Sequence, residues 1–187
     1  MEISNVFFTS AEAFAEGPGK VRRLLAALTE MGIPYTGLRH ERADTIELCR
    51  DIGKKLGAPI CKNLFLCNRQ QTAFYLLILP GGKIFKTKYL SEQIGSSRLS
   101  FADGEQMERL LNCSPGSASA LGLFYDTEKK VRFLIDSDLL AFDEWGFHPC
   151  DNTATLRIEK RDLLDVFLPA IGVEPTVVEL PEKQGGA

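Results

Sequence analysis

Apolar side chains recur at helical spacing in several parts of the chain. The clearest case ends before Gly32, a residue suited to the end of a helix. Asp44 or Thr45 can cap a second helix, and Asp103 with Gln106 three residues later resembles the capping box of a third. The predicted helices are 20–31, 44–56, 103–111 and 161–171, with a short helical turn at 90–94.

Shorter apolar segments predict strands. Ala73 to Leu79 is continuously apolar, which favours a central strand that is covered on both faces. Pro80-Gly81-Gly82 then predicts a turn into a second strand, Lys83-Ile84-Phe85. Further strands are predicted at 35–40, 61–66, 131–135, 153–158 and 176–180. Because strands outnumber helices and come in runs, we predict the α+β class, with a mixed, curved and partly barrel-like sheet flanked by helices.

The composition is that of an ordinary folded protein, with 187 residues of which 44% are hydrophobic and 25% are charged. We expect residues 1–19 to form an N-terminal extension, 20–181 a single domain and 182–187 a flexible tail. The longest apolar run, 73–80, is shorter than a membrane span, and no signal-like apolar core is visible. A cytoplasmic protein without a membrane partner is therefore expected. The net charge of -3 argues against non-specific coating of nucleic acid, and no DNA partner is expected.

The five cysteines are widely spaced, which favours free thiols in a reducing compartment. The two histidines, His40 and His148, are far apart, and no C-x-x-C pair occurs. This spacing fits neither a zinc finger nor an H-E-x-x-H site. We therefore expect neither a metal nor a cofactor.

Lys62 is a charged residue within the otherwise mainly apolar stretch 61–66. Because side chains alternate along a strand, Lys62 and Leu64 share one face, whereas Asn63 and Phe65 share the other. A buried, unpaired ammonium group is very costly. Lys62 therefore either reaches water at the edge of the strand or directs its amine into a polar pocket.

Small residues dominate the segment 112–120. Glycine and serine let a backbone approach a ligand closely, and they offer N–H and hydroxyl donors of the kind found in phosphate or oxyanion cradles. The segment lacks the glycine spacing of a P-loop or of a dinucleotide-binding turn. The pattern alone leaves both a binding loop and an ordinary loop open.

Five segments, taken together and in order, resemble the YbaK/prolyl-tRNA-editing family, which contains freestanding trans-editing deacylases and the insertion domain of bacterial prolyl-tRNA synthetases. The segments are residues 40–45, 62–66, 98–101, 115–123 and 148–155. Among them are Lys62-Asn63, Pro115-Gly116-Ser117 and His148-Pro149-Cys150. The likeness is greatest to freestanding members that act on mischarged proline tRNA, above all those that remove alanine.

The resemblance implies the editing-domain fold, a mixed sheet around an aminoacyl pocket, and hydrolysis of the ester between a wrong amino acid and the 3′ end of proline tRNA. It places Lys62 on the family's essential lysine, Gly116 on the pocket-loop glycine and His148 on a polar wall, and we expect these three to be catalytic. The residues expected to bind the substrate are His40, Asn63, Phe65, Arg98, Ser100, Ser117, Ser119 and Asn152. The expected partner is the acceptor end of aminoacylated proline tRNA, with prolyl-tRNA synthetase as a further candidate.

Two loop positions depart from the family pattern. Family loops commonly open with glycine and close with proline, where this chain has Asn112 and Ala120. The departures bear on the rigidity of the loop, and hence on the choice of amino acid, more than on the fold or the reaction class.

Ester hydrolysis needs a water molecule, a place for negative charge on the carbonyl oxygen, and a pocket of limited size. Lys62 could hold either the terminal phosphate or the carbonyl oxygen, and both remain open. No Ser-His-Asp set is visible, so direct attack by water is favoured, assisted by the 2′-hydroxyl of the terminal adenosine as the family implies. Removal of cysteine, and non-catalytic binding of tRNA or of a synthetase, are the alternatives.

Overall fold

Side chains from two β-sheets and from helix α1 meet in the larger of two hydrophobic clusters. The computed structural model describes residues 3–43 and 45–181, apart from the side chain of Ile46. The helices are α1 (Gly19–Glu30), α2 (Ile46–Leu56), α3 (Thr87–Gln93), α4 (Gly104–Leu111) and α5 (Leu168–Ala170). The strands are β1 (Ile3–Phe8), β2 (Thr36–His40), β3 (Cys61–Asn68), β4 (Phe74–Pro80), β5 (Leu99–Phe101), β6 (Val131–Asp136), β7 (Glu144–Phe147), β8 (Ala154–Glu159) and β9 (Thr176–Val178). Short 3₁₀ helices span Ala11–Phe14, Ala120–Tyr125 and Ser137–Ala141.

The first sheet has the strand order β1-β2-β8-β7 and is antiparallel throughout. The second sheet has the order β5-β3-β4-β6-β9 and is mixed, because β3 pairs antiparallel with both neighbours whereas β4, β6 and β9 run parallel. The predicted α+β class with a mixed sheet and flanking helices is confirmed. The strands form two open sheets, and neither closes into a barrel.

Strand β4 lies between β3 and β6, as its continuously apolar sequence predicted. The predicted second strand, Lys83-Ile84-Phe85, is wrong, because these residues adopt no regular structure. Both edges of β4 are already paired, so no edge is left for a hairpin partner. The Lys83 side chain turns inward to Asp136 instead.

The two faces of β3 differ as the alternation of side chains predicted. Cys61, Phe65 and Cys67 belong to the larger cluster, which lies between the sheets. Leu66 belongs to the smaller cluster, and Leu64 packs against it. The Lys62 side chain therefore leaves the backbone on the face of the smaller cluster, at the beginning of the strand.

The helix ends follow the predicted capping residues. The Thr45 hydroxyl caps α2 by accepting a hydrogen bond from the backbone N–H of Leu48, whereas Asp44 lies outside the described residues. Both hydrogen bonds of the Asp103 and Gln106 capping box are formed at α4. The last predicted helix begins as a π-helix, Asp162–Phe167, and continues as α5.

Strands β1, β5 and β7 were not predicted. Strand β1 lies within the predicted N-terminal extension and pairs with β2 at the edge of the first sheet. The predicted tail, 182–187, lies outside the described residues. The boundaries of the extension and of the domain stay predictions.

Candidate active site

A cavity of about 660 Å³ opens between α2, the beginning of β3, the turn that follows β4 and the loop 112–120. Its lining includes Lys62 and Gly116, two of the three residues predicted to be catalytic. Segments that are far apart in sequence meet here because β3 and β4 bring residues 61–62 beside the turn at 81–82. The remaining lining residues are Ala43, Thr45, Cys49, Arg50, Gly53, Lys54, Gly57, Ala58, Pro59, Ile60, Cys61, Gly81 and Gly82.

The Lys62 side chain is partly buried at the cavity, and its Nζ donates a hydrogen bond of 2.8 Å to the carbonyl oxygen of Lys83. Burial lowers the pKa of the Lys62 amine. A lysine ammonium has three N–H donors, so the contact with Lys83 leaves donors for an incoming ligand. The sequence left two positions open for this amine, water at the edge of the strand or a polar pocket. In the structure, Lys62 is one of the residues that line the cavity.

The beginning of β3 is fixed against the first sheet. The backbone N–H of Gly146 in β7 donates a hydrogen bond of 2.8 Å to the carbonyl oxygen of Pro59, and Ile60 forms a single bridge with the same glycine. A Cβ atom at Gly146 would lie 2.4 Å from Cδ1 of Ile60 and 3.2 Å from the carbonyl oxygen of Pro59, so a larger residue would force Ile60 to shift. The contact holds Lys62 in register with the wall of the cavity.

Asn63 fastens the small-residue loop to β3. Its side-chain N–H₂ donates a hydrogen bond of 2.9 Å to the carbonyl oxygen of Cys61, and its side-chain oxygen accepts one of 2.8 Å from the backbone N–H of Ala120. Ala120 is one of the two departures from the family pattern, and a proline there would lack this donor. Asn63 follows Lys62 in the sequence, and its side-chain amide is bound to the protein's own backbone.

Gly116 lies at the tip of a tight turn that borders the cavity. The backbone N–H of Ser117 donates a hydrogen bond of 2.9 Å to the carbonyl oxygen of Ser114, and Gly116 has a positive φ of 85°. Proline followed by glycine in this position is typical of a type II turn, which requires a positive φ at its third residue. The hydroxyls of Ser117 and Ser119 serve the loop itself, because they hydrogen-bond to the backbone of Ser114 and of Leu121.

His40 and His148 lie together in a buried cluster, with ring centroids 5.8 Å apart. His148 Nδ1 lies 2.8 Å from the carbonyl oxygen of Ala154, and His40 Nδ1 lies 2.7 Å from that of Glu41. Carbonyl oxygens only accept, so each Nδ1 carries the proton. His40 Nε2 is then left to accept the hydrogen bond of 2.9 Å from the Thr155 hydroxyl.

Both histidines are poor cations in this position. Burial lowers the pKa of His148 to about 4 and also lowers the pKa of His40. Neither ring is among the residues that line the Lys62 cavity. Asn152 is buried, and its backbone carbonyl oxygen accepts a hydrogen bond of 3.2 Å from the backbone N–H of Ala43, a cavity residue.

None of the eight residues predicted to bind substrate is among the described residues that line the cavity, and three of them belong to other parts of the protein. Phe65 is buried in the larger cluster, where its ring stacks on Phe74. Arg98 and Ser100 are exposed, and Ser100 pairs with Cys67 at the far end of β3. Cys67 lies five positions after Lys62 along the extended strand, which corresponds to about 17 Å.

Cys61, which lines the cavity, and the buried Cys150 are held as thiols. Burial raises the pKa of Cys61, and a hydrogen bond with Cys113 together with burial raises the pKa of Cys150. Because the thiolate is the reactive form, both groups are weak nucleophiles.

The cavity also contains two cations that the sequence pattern did not single out, Arg50 and Lys54. They lie one turn apart on α2, so they share one side of the helix. Together with Lys62 they give the lining three positive charges, and no carboxylate is present among its described residues. The sequence did hold one indication of this pair, because Arg50 and Lys54 are four positions apart on a predicted helix. The same spacing is equally typical of a helix face exposed to solvent.

Membrane-spanning helices and metal-ligand clusters are both absent from the described residues. No helix in 3–43 and 45–181 has the length and apolar character needed to cross a membrane. Within the same ranges, no three His, Cys, Asp or Glu side chains come together as metal ligands would.

Relatives with known names share this sequence pattern. Over 140 residues the chain is 31% identical to the "Prolyl-tRNA editing protein ProX" of Acetoanaerobium sticklandii, a match that covers 75% of this chain and 85% of that protein. It is also 31% identical over 173 residues to the "Prolyl-tRNA synthetase associated domain-containing protein 1" of Bos taurus, which covers 89% of this chain and 96% of the relative.

Solved structures agree on the fold. A crystal structure described as a "putative trans-editing enzyme for prolyl tRNA synthetase" superposes with a TM-score of 0.65 at 18% identity, over 88% of this chain and 99% of that one. The sequence profile of the aminoacyl-tRNA editing domain matches residues 40–166, which hold Lys62, Gly116 and His148. The chain therefore belongs to the aminoacyl-tRNA editing domain family.

Proposed function

We propose that this chain hydrolyses the ester of mischarged proline tRNA and that alanine is the amino acid it removes. The enzyme class, an aminoacyl-tRNA deacylase, follows from membership of the editing family and from relatives named for prolyl-tRNA editing. The observation that carries the proposal is the meeting of the Lys62 ammonium with the Gly116 turn in one positively charged cavity.

The charge and size of the cavity suit the acceptor end of a tRNA. Its three cations face a ligand that carries a phosphate at each nucleotide, and lysine and arginine are the usual partners of phosphate oxygens. A volume of about 660 Å³ lies within the range of small-molecule sites, roughly 300–1,000 Å³. The terminal adenosine with a small aminoacyl group is a ligand of this class.

In the proposed reaction, a water molecule attacks the ester carbonyl, the bond to the ribose oxygen breaks, and a free amino acid and an uncharged tRNA are released. The Lys62 ammonium and the backbone N–H of Gly116 stabilise the negative charge that develops on the carbonyl oxygen. We propose the carbonyl oxygen rather than a phosphate as the Lys62 contact, because Arg50 and Lys54 provide separate cations for phosphate.

The 2′-hydroxyl of the terminal adenosine relays the proton, because it accepts a proton from the attacking water and gives its own proton to the departing ribose oxygen. The catalytic role of His148 remains a prediction, and a pKa of about 4 makes its ring a weak base at neutral pH. Its hydrogen bond to Ala154, together with the Asn152 contact to Ala43, supports a role in holding the wall of the cavity.

A deacylation panel tests the proposal. The purified protein is incubated with proline tRNA that carries alanine, cysteine or proline, and the half-life of each ester is measured. We expect rapid loss of alanine and unchanged half-lives for the other two. Preferential loss of cysteine would reassign the substrate, and salt-sensitive tRNA binding with no loss of any ester would favour a binding module instead.

A further inference from the structure

The residue that holds the Lys62 amine is itself held by a buried ion pair. We propose that Lys83 is a positioning residue for Lys62, and that Asp136 and Asp138 fix it through their contacts with its side chain. This inference rests on the proposed function, because it concerns how the amine that acts on the ester is kept in place.

Lys83 contacts Lys62 through its backbone. Its carbonyl oxygen accepts the 2.8 Å hydrogen bond from Lys62 Nζ, and it belongs to the turn that leads from β4 to α3. The turn has little regular structure of its own, since residues 83–86 are neither helix nor strand. The backbone N–H of Lys83 donates a hydrogen bond of 2.9 Å to the carbonyl oxygen of Pro80. Gly81 and Gly82, between these residues, line the cavity.

The Lys83 side chain leaves the turn in another direction and ends between two carboxylates. Its Nζ lies 2.9 Å from Asp136 and 2.6 Å from Asp138, and the exposed fractions of the Lys83 and Asp136 side chains are 6% and 0%. Asp136 ends β6 and also accepts a hydrogen bond of 3.0 Å from the backbone N–H of Asp138. Burial lowers the pKa of Lys83, but the hydrogen bonds and charges of Asp138 and Asp136 outweigh this effect and raise it.

Lys83 therefore joins the end of β6 to the turn beside the cavity. The ion pair anchors the side chain of Lys83 to the end of β6, and this anchor sets the direction in which its carbonyl oxygen points. Lys83 itself is not among the residues that line the cavity, so it acts through Lys62. Without the anchor, the glycine-rich turn is free to move and the Lys62 amine can rotate toward water.

The test compares Lys83→Met with Lys88→Met. Methionine keeps an unbranched apolar stem and removes the charge, and Lys88 is an exposed lysine on α3 that serves as the matched control. With alanine-charged proline tRNA, we expect kcat to fall about tenfold to a hundredfold in Lys83→Met, with a smaller change in KM, because the amine is misplaced in the transition state. Lys88→Met should behave as the wild type.

A second readout needs no enzymatic activity. The pH dependence of acetylation of the Lys62 amine by acetic anhydride is followed by mass spectrometry in the folded wild type and variants. Burial lowers the pKa of this amine, so releasing it to water should move its labelling midpoint to higher pH in Lys83→Met. An unchanged midpoint in folded Lys83→Met would overturn the inference, whereas an inactive wild type with the expected shift would count only against the proposed function.

Asp138→Asn decides the matter if Lys83→Met does not fold. The Asp138 side chain is 44% exposed. Its replacement removes one of the two carboxylates that contact the Lys83 amine, while Asp136 remains. We expect the Lys62 midpoint to shift in the same direction by a smaller amount. A midpoint that stays at the wild-type value in this folded variant would contradict the proposal.

Discussion

At the scale of single residues, Ala120 links the loop 112–120 to strand β3. Its backbone N–H is the donor to the side-chain oxygen of Asn63. That hydrogen bond ties the loop that contains Gly116 to the strand that contains Lys62. The Asn63 side chain thereby couples the position of the Gly116 loop to that of the Lys62 amine.

Ala120→Pro should therefore weaken the site instead of stiffening it. The substitution removes the donor and leaves the Asn63 oxygen unpaired, a cost of about 1–3 kcal/mol in the free energy of unfolding. Urea denaturation measures this cost, and the deacylation rate should fall with it. Ala120→Gly keeps the N–H and serves as the control. Equal stability and equal rates in the proline and glycine variants would show that the hydrogen bond has no such role.

His148 predicts a dependence of stability on pH. Its pKa is about 4 in the folded protein against an ordinary value of 6.5, so the unfolded chain binds the proton first. Stability should therefore fall as the pH is lowered from about 6.5 to about 4, by roughly 3 kcal/mol from this ring. Urea denaturation at several pH values measures the slope, and His148→Asn should make it shallower. A slope that is the same in both proteins would contradict the burial argument.

At the scale of secondary-structure elements, α2 supplies one wall of the cavity with Arg50 and Lys54. Cations at the rim of a site act mainly on the encounter with a charged ligand. Arg50 and Lys54 are both exposed, and Lys54 also pairs with Asp51 at 3.2 Å. Each therefore contributes about 1 kcal/mol or less to the binding free energy.

Arg50→Ala and Lys54→Ala should raise KM for alanine-charged proline tRNA up to about fivefold each, with kcat unchanged. Steady-state kinetics at constant salt measures both quantities. Lys88→Ala, on α3 and outside the cavity, is the control for a general loss of positive charge. A fall in kcat with unchanged KM would place these cations in the chemical step and would contradict their role in the encounter with tRNA.

The elements that the sequence predicted well are those with strong local signals. The apolar run of β4 and the capping box of α4 both appear where they were expected. The strand predicted at 83–85 failed because β4 already has two partners, which is decided by β6, far away in the sequence.

The sequence predicted only part of the candidate site, because the rest depends on how distant strands pair. Lys62 and Gly116 were identified because their segments carry the family pattern, and the structure brings them to one cavity. Arg98 and Ser100 carry it as well, but the register of β5 on β3 places Ser100 opposite Cys67 instead of Lys62. Strand register depends on pairing between distant segments, and the sequence pattern does not contain it.

At the scale of the whole molecule, a net charge of -3 coexists with a cavity that has three cations and no carboxylate among its described lining residues. Binding of tRNA should therefore depend on a few local contacts. Two phosphate contacts to a single strand, made by Arg50 and Lys54, predict a slope of about -1.4 when the logarithm of affinity is plotted against that of salt concentration. Titration of tRNA binding between low and physiological salt measures this slope. A flat plot would show that the cavity cations do not meet phosphates.

The central claim is that the Lys62 amine in this cavity promotes hydrolysis of the ester. Its most direct test is the single-turnover deacylation rate of alanine-charged proline tRNA by the wild type and by Lys62→Ala, with Lys88→Ala as the matched control. We predict a loss of about a hundredfold or more in Lys62→Ala and a wild-type rate in the control. A folded Lys62→Ala protein that removes alanine at the wild-type rate would contradict the claim.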